Sequence, residues 1–347
     1  MTYRTDIPLS GERPKTMALS PLCAFDTRRA VACSVPDRRR AAPGRGEDSA
    51  RPLGNRLQYV SPEEYSPARE ALRKMPQTSP LWNRDHLRTD QYRDSGKLRA
   101  RIALHERFST NKYGWQRWVF DHLNLPENAR VLELGCGAGA LWDGNRSRIP
   151  AGWEIVLSDF SHGMLLDAKR SLTGIAGSFS HAVADAEAIP FADASFDCVV
   201  ANHMLYHVPS VEDAIAEIHR VLKPRGRLFA ATNGRNHLRE MWNLVAEFDA
   251  QAARIPEPDV HDHFGLETGL PLLSQRFPCV VLHRYDDALV ITEAGPLVAY
   301  LTSALAGPRL LLDADDLDQF RAFVGDRIAR DGCIRVTKHT GLFEACR

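Results

Sequence analysis

Residues 128–233 of this 347-residue chain predict an α/β fold: a doubly wound, mostly parallel sheet, preceded by a helical segment and followed by helices and closing strands. Three observations carry that expectation. Short apolar runs alternate with stretches of helical period, which sets strands side by side with helices as crossovers. The first apolar run ends in a turn holding Gly135, Gly137 and Gly139, as a sharp strand-to-helix connection requires. The stretch from Val211 to Leu222 places Val211, Ala214, Ile215, Ile218, Val221 and Leu222 on one helical stripe.

In chain order, residues 1–56 stand apart. The run Asp37-Arg-Arg-Arg-Ala-Ala-Pro-Gly-Arg-Gly-Glu-Asp48 has no apolar period and too little apolar surface to offset its ordering entropy, so a disordered tail is expected. An over-extended start, with Met17 or a later residue near the beginning of the ordered chain, is preferred to a natural tail or to a transit peptide, which Asp26 and Asp37 oppose. Residues 57–127 read as helical: Leu98 and Ile102, then Trp115, Trp118, Val119 and Leu123, recur at three- and four-residue intervals until Pro126. The strands expected in 128–233 are Val131–Leu134, Glu154–Ser158, Phe179–Val183, Phe196–Ala201 and Arg227–Thr232. Ser210 and Asp213 fit a capping box before the amphipathic helix, and Pro224 and Gly226 end it. Residues 234–347 predict helices near 236–253, 293–306 and 315–331. A hairpin or bent strand then closes the chain, built from Cys333–Thr337 and Leu342–Ala345 around Lys338-His-Thr-Gly341.

Composition narrows the function classes. Lys plus Arg and Asp plus Glu each number 44, so the net charge is zero. A protein whose affinity comes mainly from neutralising phosphates is therefore not expected, and nucleic acid is not the expected partner. No apolar run reaches membrane-spanning length and no secretory pattern opens the chain, so a cytoplasmic location without membrane association is expected. Cys23, Cys33, Cys136, Cys198, Cys279, Cys333 and Cys346 are scattered without a C-x-x-C pair. They read as small buried hydrophobes rather than a zinc or disulfide framework. His261 and His263 would share a face if their segment were a strand, but no third ligand is spaced to join them, and no metal site is expected.

The glycine turn Val131-Leu-Glu-Leu-Gly-Cys-Gly-Ala-Gly139 is ambiguous alone, because Gly135, Gly137 and Ala140 also satisfy a dinucleotide fingerprint. Glu133 and the carboxylates that follow it tip the balance. A carboxylate two residues before the first glycine suits a cationic ligand and repels a pyrophosphate; S-adenosylmethionine presents an ammonium and a sulfonium, NAD a pyrophosphate. Asp159, ending the second strand, can accept ribose hydroxyls, and Asp185, after the third, can accept from an adenine amino group.

The segments VLELGCGAG, SDFSHGML, ADAEAIPFADASFDCVVANHMLYHV and EIHRVLKPRGRL resemble, in order and spacing, the motifs of class I S-adenosylmethionine-dependent methyltransferases, most of all the small-molecule enzymes similar to those of ubiquinone biosynthesis. The resemblance covers about 128–233. It implies a Rossmann-like core that binds S-adenosylmethionine and a small-molecule methyl acceptor, with the oxygen, nitrogen or carbon atom methylated left open. It places Glu133, Gly135, Cys136 and Gly137 at the methionine end. Asp159, Phe160 and Met164 fall at the adenosine, and Asp185 and Ala186 at the adenine edge. Asn202 and His203 fall beside the sulfonium, and Asn111 and Tyr113 lie over the cofactor. His203 and His207 are the candidate catalytic residues, although transfer from a sulfonium relies first on alignment of the reactants. The segments 57–127 and 234–347 would build the acceptor pocket. The alternatives are an RNA or other macromolecule methyltransferase, opposed by Asn202-His-Met-Leu where base-modifying enzymes carry prolines, a non-catalytic binder of the cofactor, and an NAD-dependent oxidoreductase.

Overall fold

The computed structural model describes residues 92–93, 95–175, 178–249, 260–303 and 314–347. The expected tail over 1–56, the first part of the helical segment and Asp259 lie outside them.

Helices α1 (Gly96–Phe108) and α2 (Trp115–His122) precede strand β1 (Arg130–Leu134). The core then runs α3 (Ala140–Asp143), β2 (Glu154–Asp159), α4 (His162–Ser171), β3 (Ser178–Val183), β4 (Phe196–Asn202), α5 (Val211–Val221) and β5 (Leu222–Asn233). It is followed by α6 (Arg239–Phe248), α7 (Val260–Phe264), α8 (Gly269–Leu273), β6 (Cys279–Tyr285) and β7 (Ala288–Ile291). The chain closes with α9 (Ala294–Ser303), α10 (Ala314–Asp331), β8 (Ile334–Thr337) and β9 (Thr340–Cys346).

The main sheet has seven strands in the order β3-β2-β1-β4-β5-β9-β6. β1 to β5 are parallel, and β9 runs antiparallel to both β5 and β6. This is the Rossmann-like, mostly parallel α/β fold the sequence predicts. From β1 the chain moves to one side, toward β2, and from β4 to the other, toward β5. The carboxyl ends of β1 and β4 are therefore neighbours where the order reverses, and a crevice opens there.

Burial follows the sequence pattern. β4 is apolar nearly throughout because helices cover both faces of the sheet. On one face α5 packs Val211, Ala214, Ile215, Ile218 and Val221 against Leu132, Phe196 and Leu228, at roughly 1.5–3 kcal/mol for each fully buried Val or Ile. Its N-terminus is capped as expected, Ser210 Oγ accepting from the Asp213 N–H at 3.3 Å. On the other face lie Val119 of α2, Trp142 of α3 and Leu165 of α4. A third apolar cluster joins α1, α6, α9 and α10 to the two-stranded sheet β7-β8.

Four local expectations are corrected. β8 and β9 are not a hairpin: β8 pairs with β7, and β9 enters the main sheet between β5 and β6. The burial patterns give the reason. β8 alternates buried and exposed residues, which suits a strand covered on one face, whereas β9 is buried almost throughout and needs neighbours on both sides. β6 and β7 were not foreseen, because the edge strand β6 exposes much of its length, with Val281 46% exposed. The segment holding His261 and His263 is helical, so these residues point about 200° apart around the axis. Cys136 and Cys198 are buried, but Cys279 is exposed on β6 and Cys333 and Cys346 are only partly covered.

Candidate active site

A cavity of about 690 Å³ opens over the carboxyl ends of β1 and β4, and every site residue singled out in the sequence lines it. Its two ends are built differently.

The first end is made of backbone and carboxyl groups. Gly135 has φ +64°, and a Cβ there would meet the Met204 Cβ at 2.7 Å, so only glycine fits the turn without displacement. Gly137 (φ +53°) donates its N–H to Asp159 Oδ2 at 2.9 Å, while Asp159 Oδ1 accepts from the Ser161 N–H at 2.8 Å. Asp159 is not the cap of α4: Ser161 Oγ performs that task, accepting from the Met164 N–H at 3.3 Å. Glu133 is buried and receives the Trp142 Nε1–H at 2.6 Å. Burial opposes ionisation of both carboxyls, and with a smaller contribution from the nearby Asp159 it pushes Glu133 up to about 8, while Asp159 is pushed up to about 6. Cys136 is buried beside them, and its thiol is held well above its ordinary range. Asp185 Oδ1 accepts from the Glu187 N–H at 3.0 Å, shaping the turn that carries Ala186. Arg220 of α5 holds the following loop through the carbonyls of Ile189 (2.9 Å) and Phe191 (2.8 Å).

At the rim, Asn111 Oδ1 accepts from the Tyr113 N–H and its Nδ2 donates to the Asp286 carbonyl. Tyr113 is 45% exposed and donates its hydroxyl to Asp121 at 2.6 Å. The polar atoms of both residues thus shape the 109–115 loop over the cavity mouth.

The second end is built from side chains. β4 finishes at Asn202, whose Oδ1 accepts from Trp115 Nε1–H at 3.1 Å. The chain then turns through His203 at φ +59°, a left-handed conformation that side chains rarely adopt. The His203 ring packs on Trp115, centroids 5.1 Å apart. Burial drives its pKa down to about 3, and Lys338 adds to the shift. His207 is tied to Tyr92, whose hydroxyl lies 2.9 Å from Nε2. His105, also pushed down to about 3 by burial, faces Tyr300 and His237. The His339 N–H donates to His237 Nδ1 at 3.2 Å, which leaves the proton of that neutral ring on Nε2. Lys338 Nζ lies 2.5 Å from Asp287, and both side chains are buried. Asp287 also accepts from the Asn111 N–H at 2.9 Å and from Ser109, tying the rim loop to the start of β7.

Sequence reasoning missed Tyr92, Arg101, His105, His237, Tyr300 and Lys338. The one signal was on α1, where Arg101 and His105 share the face marked by Leu98 and Ile102. Among the described residues no group of three His, Cys, Asp or Glu side chains is placed to hold a metal ion. No helix of the described residues is long and apolar enough to cross a membrane.

Residues 132–230 match the family model described as a methyltransferase domain. The ubiquinone/menaquinone biosynthesis C-methyltransferase UbiE of Yersinia enterocolitica is 37% identical over 116 residues, which cover 33% of this chain and 46% of that one. The enzyme of the same name from Erwinia tasmaniensis gives the same identity and coverage. The chain spans about half the length of the curated relatives it matches. Among solved structures, phosphoethanolamine N-methyltransferase 2 of Haemonchus contortus in complex with S-adenosyl-L-methionine superposes with a TM-score of 0.47 at 18% identity, covering 76% of this chain and 59% of that one. Over residues 132–230 the chain is thus similar to a methyltransferase domain.

Proposed function

We propose that the chain transfers a methyl group from S-adenosylmethionine to a small-molecule acceptor. The observation that carries this reading is the continuity of one cavity, from the glycine turn with its buried carboxyls, past His203, to an end walled by tyrosine, histidine and arginine side chains. The first end fits the cofactor on one structural ground: the buried Glu133 carboxyl has, among the described residues, no cation beside it to favour its charge. When bound, the cofactor supplies a methyl group activated on a sulfonium.

The chain's own residues do the rest. In this reading Glu133, Gly135, Cys136 and Gly137 enclose the methionine end, and Asp159, Phe160 and Met164 hold the adenosine. Asp185 and Ala186 meet the base, and Asn111 and Tyr113 form the rim above it. Asn202 and His203 fix the wall at which the two reactants meet, and alignment there supplies much of the rate. Where the acceptor must lose a proton, His203 is a weak base because burial holds its pKa near 3. His207, wired to Tyr92, is the better placed of the two.

The test is incubation of the purified chain with methyl-labelled S-adenosylmethionine and fractionated small-molecule extracts. Label in a low-mass product, lost with Asp159→Ala, supports the reading. Label found in RNA or protein instead would contradict the small-molecule assignment.

A further inference from the structure

Helix α1 presents one face to the cavity, and that face can be followed outward from the cofactor end. Leu98 Cδ2 lies 3.4 Å from where a Cβ on Gly137 would stand, so the first turn of the helix touches the glycine turn. Arg101 is three residues further, about 4.5 Å along the axis, and His105 follows one turn later; all three line the cavity.

Arg101 is the anomaly of the site. Its Nε and Nη2 are buried and have no hydrogen-bond partner among the described residues. A guanidinium stays charged at any physiological pH; the hydrogen bond this one shares with Tyr92 is to a neutral phenol, and a buried charge without an opposite charge beside it is costly to a fold. Its surroundings are aromatic: the Tyr92 ring centroid lies 5.4 Å from Cζ, and the phenols of Tyr206 and Tyr300 are further electrostatic neighbours. The two unpartnered nitrogens also have a particular geometry. The Nε–H and the Nη2–H on the same edge of the guanidinium point in parallel, as the side-on fork that takes both oxygens of a carboxylate. Next to them His105 Nδ1 is buried and, among the described residues, unpartnered as well, and burial keeps that ring neutral. At the opposite end of the cavity stand the carboxyl groups of Glu133, Asp159 and Asp185, which suit a cation and repel an anion.

Resting on the methyl-transfer reading above, we infer that the acceptor carries a carboxylate and that Arg101 holds it through the Nε/Nη2 fork. The anion end and the cation end would then orient acceptor and cofactor oppositely across His203. Arg101 is a specificity-determining residue in this scheme, and it takes no part in bond making.

The experiment is calorimetric titration of the full chain, saturated with S-adenosylhomocysteine. The probes are benzoate, phenylacetate and hexanoate, each against its primary amide, with phenyl phosphate alongside. Arg101→Met and Arg101→Lys are run in parallel, and thermal unfolding is recorded for each variant. At least one carboxylate should bind about tenfold or more tightly than its amide. Arg101→Met should erase that preference. Arg101→Lys, which keeps the charge and loses the fork, should weaken it. S-adenosylhomocysteine affinity should not change, and the Tm of Arg101→Met should stay level or rise, because an unpartnered buried charge has been removed. A purely structural arginine would instead lower the Tm and leave the acid–amide preference intact. Equal binding of acid and amide, undiminished carboxylate binding by Arg101→Met, or binding of phenyl phosphate alone would each overturn the inference. So would binding of no probe by a chain that still binds S-adenosylhomocysteine. Failure to bind S-adenosylhomocysteine at all would instead overturn the methyltransferase reading, and the inference with it.

Discussion

The two ends of the cavity differ in material as well as charge. The cofactor end is built around one short stretch of chain, with Glu133 near the end of β1, Gly135 and Gly137 on the turn after it, and Asp159 reaching across from the next strand. The end proposed for the acceptor is collected from α1, the turn after β4, α9 and the β8–β9 connection; α1, α9 and β8 meet in a separate apolar cluster, whereas the turn after β4 packs into the core of the main sheet. Buried carboxyls govern the first; Arg101, Lys338 and histidines kept neutral by burial govern the second. In the methyl-transfer reading proposed above, the sheet core fixes the cofactor half, while the helices before and after it set what the other half accepts.

The contrast can be broken or sharpened in turn. Asp159→Ala should strike the cofactor end hardest. It removes a charged acceptor and frees the Gly137 N–H, a loss of about 2–3 kcal/mol in binding, or about 30- to 150-fold in S-adenosylmethionine affinity. Benzoate binding at Arg101 should survive the same change. Gly135→Ala should cost about 1–3 kcal/mol of stability, through a left-handed backbone and the 2.7 Å approach to Met204; urea unfolding measures it.

Glu133 gives a pH test of intermediate size. Its carboxyl is raised from 4.5 to about 8 by burial. Between those values the folded free protein holds a proton that the unfolded chain does not, so this group's contribution to stability falls as pH rises through the window. A cation placed beside it draws the proton off. S-adenosylmethionine affinity should therefore increase from pH 6 to 8 and level off above, with proton release visible as a buffer-dependent heat. Glu133→Gln should flatten the profile, and a wild-type affinity independent of pH would contradict the electrostatic account. The smallest expected effect is His203→Asn. Asparagine tolerates φ near +60°, so the loss should be about 1 kcal/mol, set by the missing ring contact with Trp115. Thermal unfolding checks it, and a larger loss would mean the ring, not the backbone turn, holds the wall in place.

How much was legible follows the same division. VLELGCGAG and Asp159 could be read because their chemistry is local: a turn, a carboxylate and a strand end within a few residues. The segment EIHRVLKPRGRL was legible as a helix and a strand, but the reason for its arginine appears only in three dimensions, where Arg220 holds the loop of Ile189 and Phe191. Arg101, His237, Tyr300 and Lys338 sit on separate elements, and no spacing in sequence encodes their meeting. The closing strands were misjoined for a related reason. The Lys338-His339 link looks like a hairpin turn locally, while β9 finds its partners in β5 and β6 far away in the chain.

The central claim is that the glycine turn with its buried carboxyls is built for a cationic nucleoside ligand and not for a dinucleotide. Its most direct test is calorimetric titration of the purified chain with S-adenosylmethionine and, separately, with NAD. Saturable binding of S-adenosylmethionine, lost in Asp159→Ala and absent for NAD, is the expected result. A folded protein that binds NAD and leaves S-adenosylmethionine untouched would contradict the account.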